Sequence, residues 1–238
     1  MAIEAEWEPD AENWLQWART PGFDAYWYYR DAFFGAILPS AGPRTLEVGC
    51  GEGRVARDLA ARGHAVVAVD AAPTLVRHAN AADAGGVYAV AAGAALPFGD
   101  AVFHTVIAYN SLQVVHDMDG TVREIARVLA PGGFLCACVA HPVTDLGRFT
   151  GEEDPPRLTI RDGYFESRRV EDRVEVGGHT MTFRGWTYSF EHYSLALERA
   201  GLRLEAMREP QPSAEGEAYA RWRQIPLFLN FRAVKYAS

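Results

Sequence analysis

Three glycines directly after a short apolar segment are the feature that most constrains how this chain can fold. Residues 45–48 are followed by Gly49, Gly51 and Gly53, and residues 55–62 then carry a helical pattern. A strand that passes through a glycine-rich turn into a helix is the opening unit of an open α/β sheet. Glycine permits a tight turn with positive φ and leaves no Cβ where a ligand touches the backbone. The segment therefore predicts a ligand-binding loop at the carboxyl end of the first strand.

The sequence after this loop alternates between strands and helices. Continuous apolar segments predict four more strands, at residues 65–69, 87–91, 103–108 and 134–140. Parallel strands carry such segments because they are buried on both faces. Pro73 is placed to begin one intervening helix and Asp119 to cap another. Five strands separated by helices imply right-handed crossovers and a doubly wound parallel sheet of the α/β class.

A single domain of four segments accounts for the 238 residues. Residues 1–43 are rich in aromatic side chains, and residues 44–140 form the core described above. Residues 141–188 mix charges of both signs with strand-prone pieces, and Gly177-Gly178 predicts a hairpin turn there. Residues 189–238 supply one more helix and two last strands. We expect the third segment to be an insertion that covers a ligand pocket or forms a dimer contact.

Composition and charge exclude several functional classes. The formal net charge is −8, and no basic cluster occurs that could neutralise nucleic-acid phosphates. The apolar runs are far shorter than the ~20 residues of a membrane helix, and the acidic N-terminus does not resemble a secretory signal. The three cysteines favour free thiols in a reducing compartment. We therefore expect a cytoplasmic protein with neither nucleic-acid nor membrane partners, as a monomer or homodimer.

An acidic residue at the end of the second strand predicts a nucleoside site. Asp70 lies 21 residues after Gly49, and its carboxylate can accept hydrogen bonds from both hydroxyls of a ribose. The nucleoside could belong to NAD or to S-adenosylmethionine. The dinucleotide fingerprint G-x-G-x-x-G would require glycine at position 54, where Arg54 stands.

The spacing E-x-G-x-G-x-G from Glu47 to Gly53 resembles the cofactor loop of class I S-adenosylmethionine-dependent methyltransferases. Further segments resemble motifs of the same family in the same order, at residues 64–70, 96–98, 129–133, 198–202 and 208–210. The resemblance covers about residues 44–210 and is to the small-molecule, type 11-like branch, in an actinobacterial style. It implies a Rossmann-like, seven-stranded sheet with an antiparallel last strand, an N-terminal helical lid and an inserted strand-rich cap.

The resemblance also implies a cofactor and the residues that hold it. S-Adenosylmethionine is the expected cofactor, S-adenosylhomocysteine its product, and no metal ion is expected. Asp70 would hold the ribose, and Glu47 would orient the loop or a water molecule. Arg30 could pair with the cofactor's carboxylate or form a surface ion pair. Positions 91–95 lack the acid that often reads the adenine, so backbone groups would read it instead. The full set assigned to the cofactor is Tyr29, Arg30, Glu47, Gly49, Cys50, Gly51, Gly53, Asp70, Ala71, Ala92, Gly93, Ala94, Asn110 and Ser111.

The N-terminal segment predicts an acceptor pocket with aromatic walls. The chain has six Trp, ten Tyr and twelve Phe residues, and ten of these aromatic residues lie in residues 1–38. An aromatic lid suits an aromatic or cationic acceptor, although many of these rings would simply pack the lid onto the sheet. We assign Trp17, Gln113 and His141 to the acceptor, and His141 has a structural role as its alternative.

His116 is the residue that we predict to act as a general base. It follows the fourth strand, where family members place acceptor-facing residues, and Tyr26 or Tyr29 would face it across the pocket. An imidazole can accept a proton near neutral pH, and a phenol can orient or relay it. The alternative is an exposed histidine at the start of the next helix.

These inferences predict methyl transfer to a small molecule of specialised metabolism. An aromatic heterocycle such as an indole is one acceptor, and a phenol methylated on oxygen is an alternative. A non-catalytic, cofactor-binding regulator is a further alternative. Methylation of RNA is disfavoured by the charge, and residues 108–111 lack the Asn/Asp-Pro-Pro-Tyr form that is used for amino groups of bases.

Overall fold

The computed structural model describes residues 6–150, 157–160, 163–213 and 219–236. Its strands are β1 (Thr45–Val48), β2 (Val66–Asp70), β3 (Val87–Val90), β4 (Phe103–Tyr109), β5 (Leu129–Ala140), β6 (Gly147–Thr150), β7 (Arg157–Ile160), β8 (Arg169–Val176), β9 (His179–Trp186), β10 (Leu202–Arg208) and β11 (Phe228–Lys235). Its α-helices are α1 (Ala11–Arg19), α2 (Tyr26–Ala36), α3 (Arg54–Ala61), α4 (Pro73–Ala82), α5 (Met118–Val128), α6 (Phe190–Arg199) and α7 (Ala220–Gln224).

Seven of the strands form one sheet in the order β10-β11-β5-β4-β1-β2-β3. The five strands from β1 to β5 run parallel, and β11 runs antiparallel to both β5 and β10. The α/β class, the seven strands and the antiparallel last strand are therefore confirmed. This order brings the carboxyl ends of β1, β4 and β2 side by side, and ligands bind at that edge of open α/β sheets.

Two boundaries differ from the prediction by more than one residue. The prediction that Asp119 caps α5 was wrong, because the helix begins at Met118 and the Asp117 carboxylate accepts the hydrogen bond from Gly120 N at 2.7 Å. The fifth strand begins at Leu129 rather than at 134, since Leu129 already pairs with Phe103. The Pro-Gly-Gly segment at 131–133 is thus an irregularity within the strand rather than a loop before it.

Helices cover both faces of the sheet. On one face Val122, Ile125 and Leu197 of α5 and α6 pack in an apolar cluster with alternate residues of β1, β4 and β5. On the other face Phe33 of α2 and Leu59 of α3 pack in a second cluster. Each fully buried side chain of this size contributes about 1.5–3 kcal/mol to the free energy of unfolding. Packing on both faces fixes the positions of the strand ends.

The predicted insertion forms two hairpins, β6–β7 and β8–β9. The second turns at Gly177 and Gly178 with φ of 58° and 80°, the geometry of a type I′ turn, as predicted. Strand β9 packs against α1, where Asn13 Nδ2 donates to the Thr180 carbonyl at 3.0 Å. The N-terminal helix and this hairpin are therefore joined. Among the described helices, none is long and apolar enough to cross a membrane.

Candidate functional site

The loop after β1 has the backbone geometry that the three glycines predicted. Gly49 N and Cys50 N both donate to the Val69 carbonyl of β2, at 2.8 and 3.0 Å. Gly49 has a φ of 77°, and a Cβ there would lie 2.4 Å from Ser111 Cβ. Gly51 has a φ of 55°, and a Cβ there would lie 3.3 Å from Trp14 Nε1 of α1. The first glycine is thus required by packing, and the second faces the N-terminal helix.

Asp70 is fixed on this loop by two backbone hydrogen bonds. Gly51 N donates to Oδ2 at 2.7 Å, and Ala72 N donates to Oδ1 at 2.9 Å. Burial raises the pKa of Asp70, and these two N–H groups oppose that effect. Each carboxylate oxygen retains acceptor capacity toward a ligand. Sequence and structure agree in placing an oriented acid beside the loop, next to partly buried Ala71.

Glu47 is buried near the carboxyl end of β1, and its Oε2 atom has no hydrogen-bond partner in the described structure. Burial raises the pKa of Glu47 well above its usual range, and the negative charge of Asp70 adds to this effect, while Arg54 opposes it. A buried acceptor without a partner costs about 1–3 kcal/mol, so a ligand that supplies a donor would relieve it.

Glu47→Gln should therefore be more stable than the native protein at high pH, and the difference in the free energy of unfolding should grow as pH rises. The folded-state pKa lies above the unfolded value, so the stability that protonated Glu47 provides is lost as pH rises through the folded pKa. Glutamine has the same shape and never ionises. A difference of one pKa unit corresponds to about 1.4 kcal/mol, and each kcal/mol to roughly 2–4 °C in a chain of this size. Melting temperatures of the two proteins should coincide near pH 4 and diverge by pH 8. A variant that is less stable at every pH would show that ionised Glu47 is well paired.

The loop after β4 completes the floor of the site. Ser111 Oγ donates to the Val48 carbonyl at 2.7 Å, which ties this loop to β1. Asn110 has a φ of 53°, and its N donates to the Cys138 carbonyl at 2.8 Å. The backbone carbonyl of Gln113 accepts a hydrogen bond from Trp186 N of β9. The side-chain Oε1 of Gln113 is buried and has no hydrogen-bond partner in the described residues.

The turn after β3 lies where the adenine was predicted. Ala95 N donates to the Ala92 carbonyl at 3.1 Å, and a Cβ on Gly93 would lie 2.9 Å from Thr121 Cγ2. Thr121 is fully buried in the first turn of α5, and the structure gives its Oγ1 no hydrogen-bond partner among the described residues. Sequence reasoning missed Thr121, because a threonine inside a helix carries no signal of its own. Ala94 occupies the same turn.

Helix α1 is held over the loop by polar contacts that the sequence did not reveal. Arg19 donates to Glu52 Oε2 from both Nε and Nη2, each at 3.2 Å, and Glu52 is buried. Glu8, just before α1, accepts from both the backbone N and Oγ1 of Thr74 at the start of α4. Glu52 lies between Gly51 and Gly53, so the helix and the glycine loop are directly joined.

Arg54, the first residue of α3, is enclosed beside the loop. Its Nη2 lies 2.9 Å from Asp24 Oδ1, and both side chains are about one-tenth exposed. Its guanidinium carbon lies 5.1 Å from the Trp14 ring centre and 4.4 Å from that of Tyr26. Its Nη1 is buried, and the described residues offer it no hydrogen-bond partner. The sequence analysis used Arg54 only to exclude a dinucleotide fingerprint.

The tyrosines and the arginine of α2 lie in different surroundings from those predicted. Tyr26 is buried, and its hydroxyl donates to Asp58 Oδ2, which also pairs with Arg30 Nη1 at 2.9 Å. Burial and this contact raise the pKa of Tyr26 far above its usual range. Arg30 thus forms an ion pair, the second of its two predicted roles. Tyr29 packs edge-on against Phe228, on the side of the core that adjoins β11.

His116 and His141 differ sharply in exposure. The His116 side chain is 63% exposed, and its Nδ1 lies 3.8 Å from Glu6 Oε1. The structure thus gives His116 and Tyr26 different neighbours. His141 is buried: its Nδ1 accepts from Val143 N at 3.2 Å, and its Nε2 lies 2.9 Å from Glu209 Oε1. Burial lowers the pKa of His141. Both of its ring nitrogens are engaged, which fits the structural alternative.

Trp17 lies in an aromatic cluster between α1 and β9. It is 4% exposed and contacts Phe183 edge-on, with ring centres 5.8 Å apart, and Phe23 at 5.2 Å. Its Nε1 is buried with no hydrogen-bond partner in the described structure. An aromatic wall with an unsatisfied donor is suited to a flat ligand that carries a hydrogen-bond acceptor.

Part of the chain is similar to a known domain family. Residues 46–137 match the sequence profile of the family described as "Methyltransferase domain". The matched residues run from β1 to β5 and contain the glycine loop, Asp70 and the loop after β4.

Two curated relatives and one solved structure extend the comparison. A demethylmenaquinone methyltransferase of Thermobifida fusca is 34% identical over 131 residues, 52% of this chain and 56% of that protein. A 27-O-demethylrifamycin SV methyltransferase of Amycolatopsis mediterranei is 29% identical over 198 residues, 80% of this chain and 63% of that protein. The chain thus spans about half to two thirds of their length. An S-adenosylmethionine-dependent methyltransferase from Mesorhizobium loti shares the fold, with a TM-score of 0.70 at 23% identity, covering 89% of this chain and 98% of that one.

Proposed function

We propose that the chain, whose residues 46–137 match a methyltransferase domain family, is a class I enzyme that transfers a methyl group from S-adenosylmethionine to a small molecule. The observation that carries this proposal is the Asp70 carboxylate, held by Gly51 N and Ala72 N beside a glycine that faces the N-terminal helix. A fixed acid and a glycine backbone without a side chain, at adjoining strand ends, suit a nucleoside.

Polar atoms without partners support the fit of this cofactor to the described residues. The buried donor Arg54 Nη1 and the buried acceptor Glu47 Oε2 suit the two charged groups of an amino acid, and Thr121 Oγ1 adjoins the turn proposed for the adenine. When bound, the cofactor would supply an electrophilic methyl group on a sulfonium. The other proposed cofactor contacts are Gly49, Cys50, Gly53, Ala71, Ala92, Gly93, Ala94, Asn110 and Ser111.

Positioning and exclusion of water are the main tasks that we assign to the protein. Methyl transfer needs the donor and acceptor in line, and holding them there provides much of the rate. Helix α1 lies over the glycine loop, and β9 bonds both to α1 and to Gln113 after β4. We therefore propose that residues 1–43 and 141–188 enclose the acceptor, and that residues 44–140 and 189–238 complete the sheet that holds the cofactor.

We propose an aromatic or heterocyclic acceptor, for example of the indole type, in specialised metabolism. The Trp17, Phe23 and Phe183 rings support this choice, and Gln113 Oε1 offers an acceptor to a ring N–H. Methylation on oxygen is the second candidate, because the rifamycin relative is named for a 27-O-demethyl substrate. The net charge of −8 supports a small acceptor rather than nucleic acid, and we propose a cytoplasmic monomer or homodimer.

Turnover with a labelled cofactor tests this function. The protein is incubated with methyl-labelled S-adenosylmethionine and a metabolite extract, and mass spectrometry searches for labelled products. We expect S-adenosylhomocysteine release together with one labelled small molecule. Cofactor binding without release, across extracts that contain aromatic and phenolic metabolites, would favour the regulatory alternative.

His116 remains our proposal for the general base, with Tyr26 as its partner. Loss of a general base typically lowers a rate by about 100- to 10,000-fold. With an acceptor that must lose a proton, His116→Ala should lower turnover by that order while affinity for S-adenosylhomocysteine stays within about twofold. His104→Ala, at an exposed position on β4, is the matched control. If the two residues act as a unit, the double variant of His116→Ala and Tyr26→Phe should lose less activity than the two single losses combined. Near-native turnover of His116→Ala would leave positioning alone as the source of the rate.

A further inference from the structure

Two buried atoms of opposite polarity flank the glycine loop, and the described structure gives neither of them a hydrogen-bond partner. One is Glu47 Oε2 in β1, and the other is Arg54 Nη1 in the first turn of α3. The charges of the two side chains influence each other, since the positive charge of Arg54 lowers the pKa of Glu47 against the effect of burial. A buried guanidinium donor without an acceptor is costly, so this position is suited to an anionic group from a ligand.

Arg54 and Arg30 differ in how their charges are balanced. Arg30 Nη1 lies 2.9 Å from Asp58. The buried Arg30 Nε makes no hydrogen bond within the described residues, but it lies 3.8 Å from Asp31, so both sides of this guanidinium face carboxylates. Arg54 has Asp24 on one side only, and that carboxylate oxygen also accepts from Tyr26 N at 2.8 Å. The Arg54 side chain is also the less exposed of the two, at 11% against 30%.

We propose that Arg54 is the binding residue for the carboxylate of the cofactor's amino-acid portion. This inference rests on the proposed function. Arg54 Nη1 donates to the carboxylate, and Glu47 Oε2 accepts from the ammonium group on the same α-carbon. Tyr109 lies at the end of β4, and its buried hydroxyl has only the Cys138 thiol, a weak hydrogen-bonding group, beside it among the described residues. It supplies a second donor to the carboxylate.

The surroundings of Arg54 preorganise it for this role. Its guanidinium contacts both the Trp14 and the Tyr26 ring, and Asp24 fixes one of its ends. A planar cation that is already desolvated and held in place loses little freedom when it binds an anion. Trp14 belongs to α1, so the same contact joins the carboxylate site to the helix that covers the loop. The cofactor's amino acid and the position of α1 are thereby coupled.

The test compares two ligands that differ only in the carboxylate. They are S-adenosylhomocysteine and its decarboxylated analogue, 5′-deoxy-5′-(3-aminopropylthio)adenosine, and both affinities are measured by titration calorimetry. The native protein should bind S-adenosylhomocysteine about 10- to 150-fold more tightly, the range for hydrogen bonds to charged groups. Arg54→Met should bind the two ligands within about threefold of each other, and Arg54→Lys should retain an intermediate preference because it keeps the charge without the fixed fork.

Arg62→Met is the matched control, because Arg62 also stacks on a ring, Phe34, and pairs with carboxylates at the far end of α3. It should keep the native preference. Equal affinity of the native protein for both ligands would overturn the inference alone, as would an undiminished preference in Arg54→Met or, should that variant not fold, in Arg54→Lys. A native protein that binds neither ligand would overturn the proposed function and this inference with it.

Discussion

Gly51→Val is expected to abolish measurable binding of S-adenosylhomocysteine while the chain still folds. Gly51 has a φ of 55°, and even a Cβ would lie 3.3 Å from Trp14 Nε1. Valine would place two methyl groups between the loop and α1, where we propose that the cofactor lies. The left-handed backbone should cost about 1–3 kcal/mol of stability, which lowers the melting temperature without removing the transition. Calorimetry and a thermal melt of the same sample measure both effects.

Gly63→Val separates the loss of space from the backbone strain. Gly63 follows α3 with a φ of 88°, and no atom lies within 4 Å of a Cβ built there. The substitution therefore imposes comparable strain far from the loop. We expect a similar fall in melting temperature with native affinity. If Gly51→Val also keeps native affinity, the cofactor does not pass this glycine and the loop assignment is wrong.

The fold could be predicted because local signals agreed along the whole core. The glycines after β1, the apolar strands and the Gly177-Gly178 turn each appear in the structure where the sequence placed them. The two larger errors concern boundaries, at Asp117 and Leu129, where hydrogen bonds of the final fold decide which residue begins an element. The pairing of Leu129 with Phe103 joins segments that are distant in sequence, so no local pattern reports it. Asp117 and Asp119 are both of a type that caps helices, so residue type alone does not choose between them.

The site could be predicted only where a motif carries it. Asp70 and the loop glycines lie together because consecutive strand ends meet at one edge of the sheet. The environment of Arg54 is different, since it depends on Asp24 and on rings from α1 and α2 that only the tertiary fold brings together. Likewise, His116 follows the expected strand, yet the fold leaves it exposed. Position along the chain predicted which strand end a residue adjoins, but not its burial or its partners.

Asp70→Ala is expected to weaken S-adenosylhomocysteine binding by about 2–3 kcal/mol, or roughly 30- to 150-fold, the scale of hydrogen bonds to a charged group. The carboxylate also holds Gly51 N and Ala72 N, so its loss frees the loop as well as removing the proposed ribose contact. Asp70→Asn keeps one acceptor oxygen for the loop and removes the charge. Asp70→Asn should therefore lose less affinity than Asp70→Ala. The difference between the two variants measures how much of the loss comes from freeing the loop.

A stability-matched control shows whether this loss is specific. Ser189→Ala removes the side chain that accepts from His192 N at the start of α6, a contact worth about 1 kcal/mol. It should lower the melting temperature and leave affinity unchanged.

Asp70→Asn should also bring the pKa of Glu47 down, because the charge of Asp70 is one of the causes that raise it. The stability gain of Glu47→Gln at pH 8 should then be smaller in the Asp70→Asn background. Native affinity in a folded Asp70→Ala would remove Asp70 from the site. An unchanged gain from Glu47→Gln would show that the two carboxylates do not interact, even though they lie at adjoining strand ends.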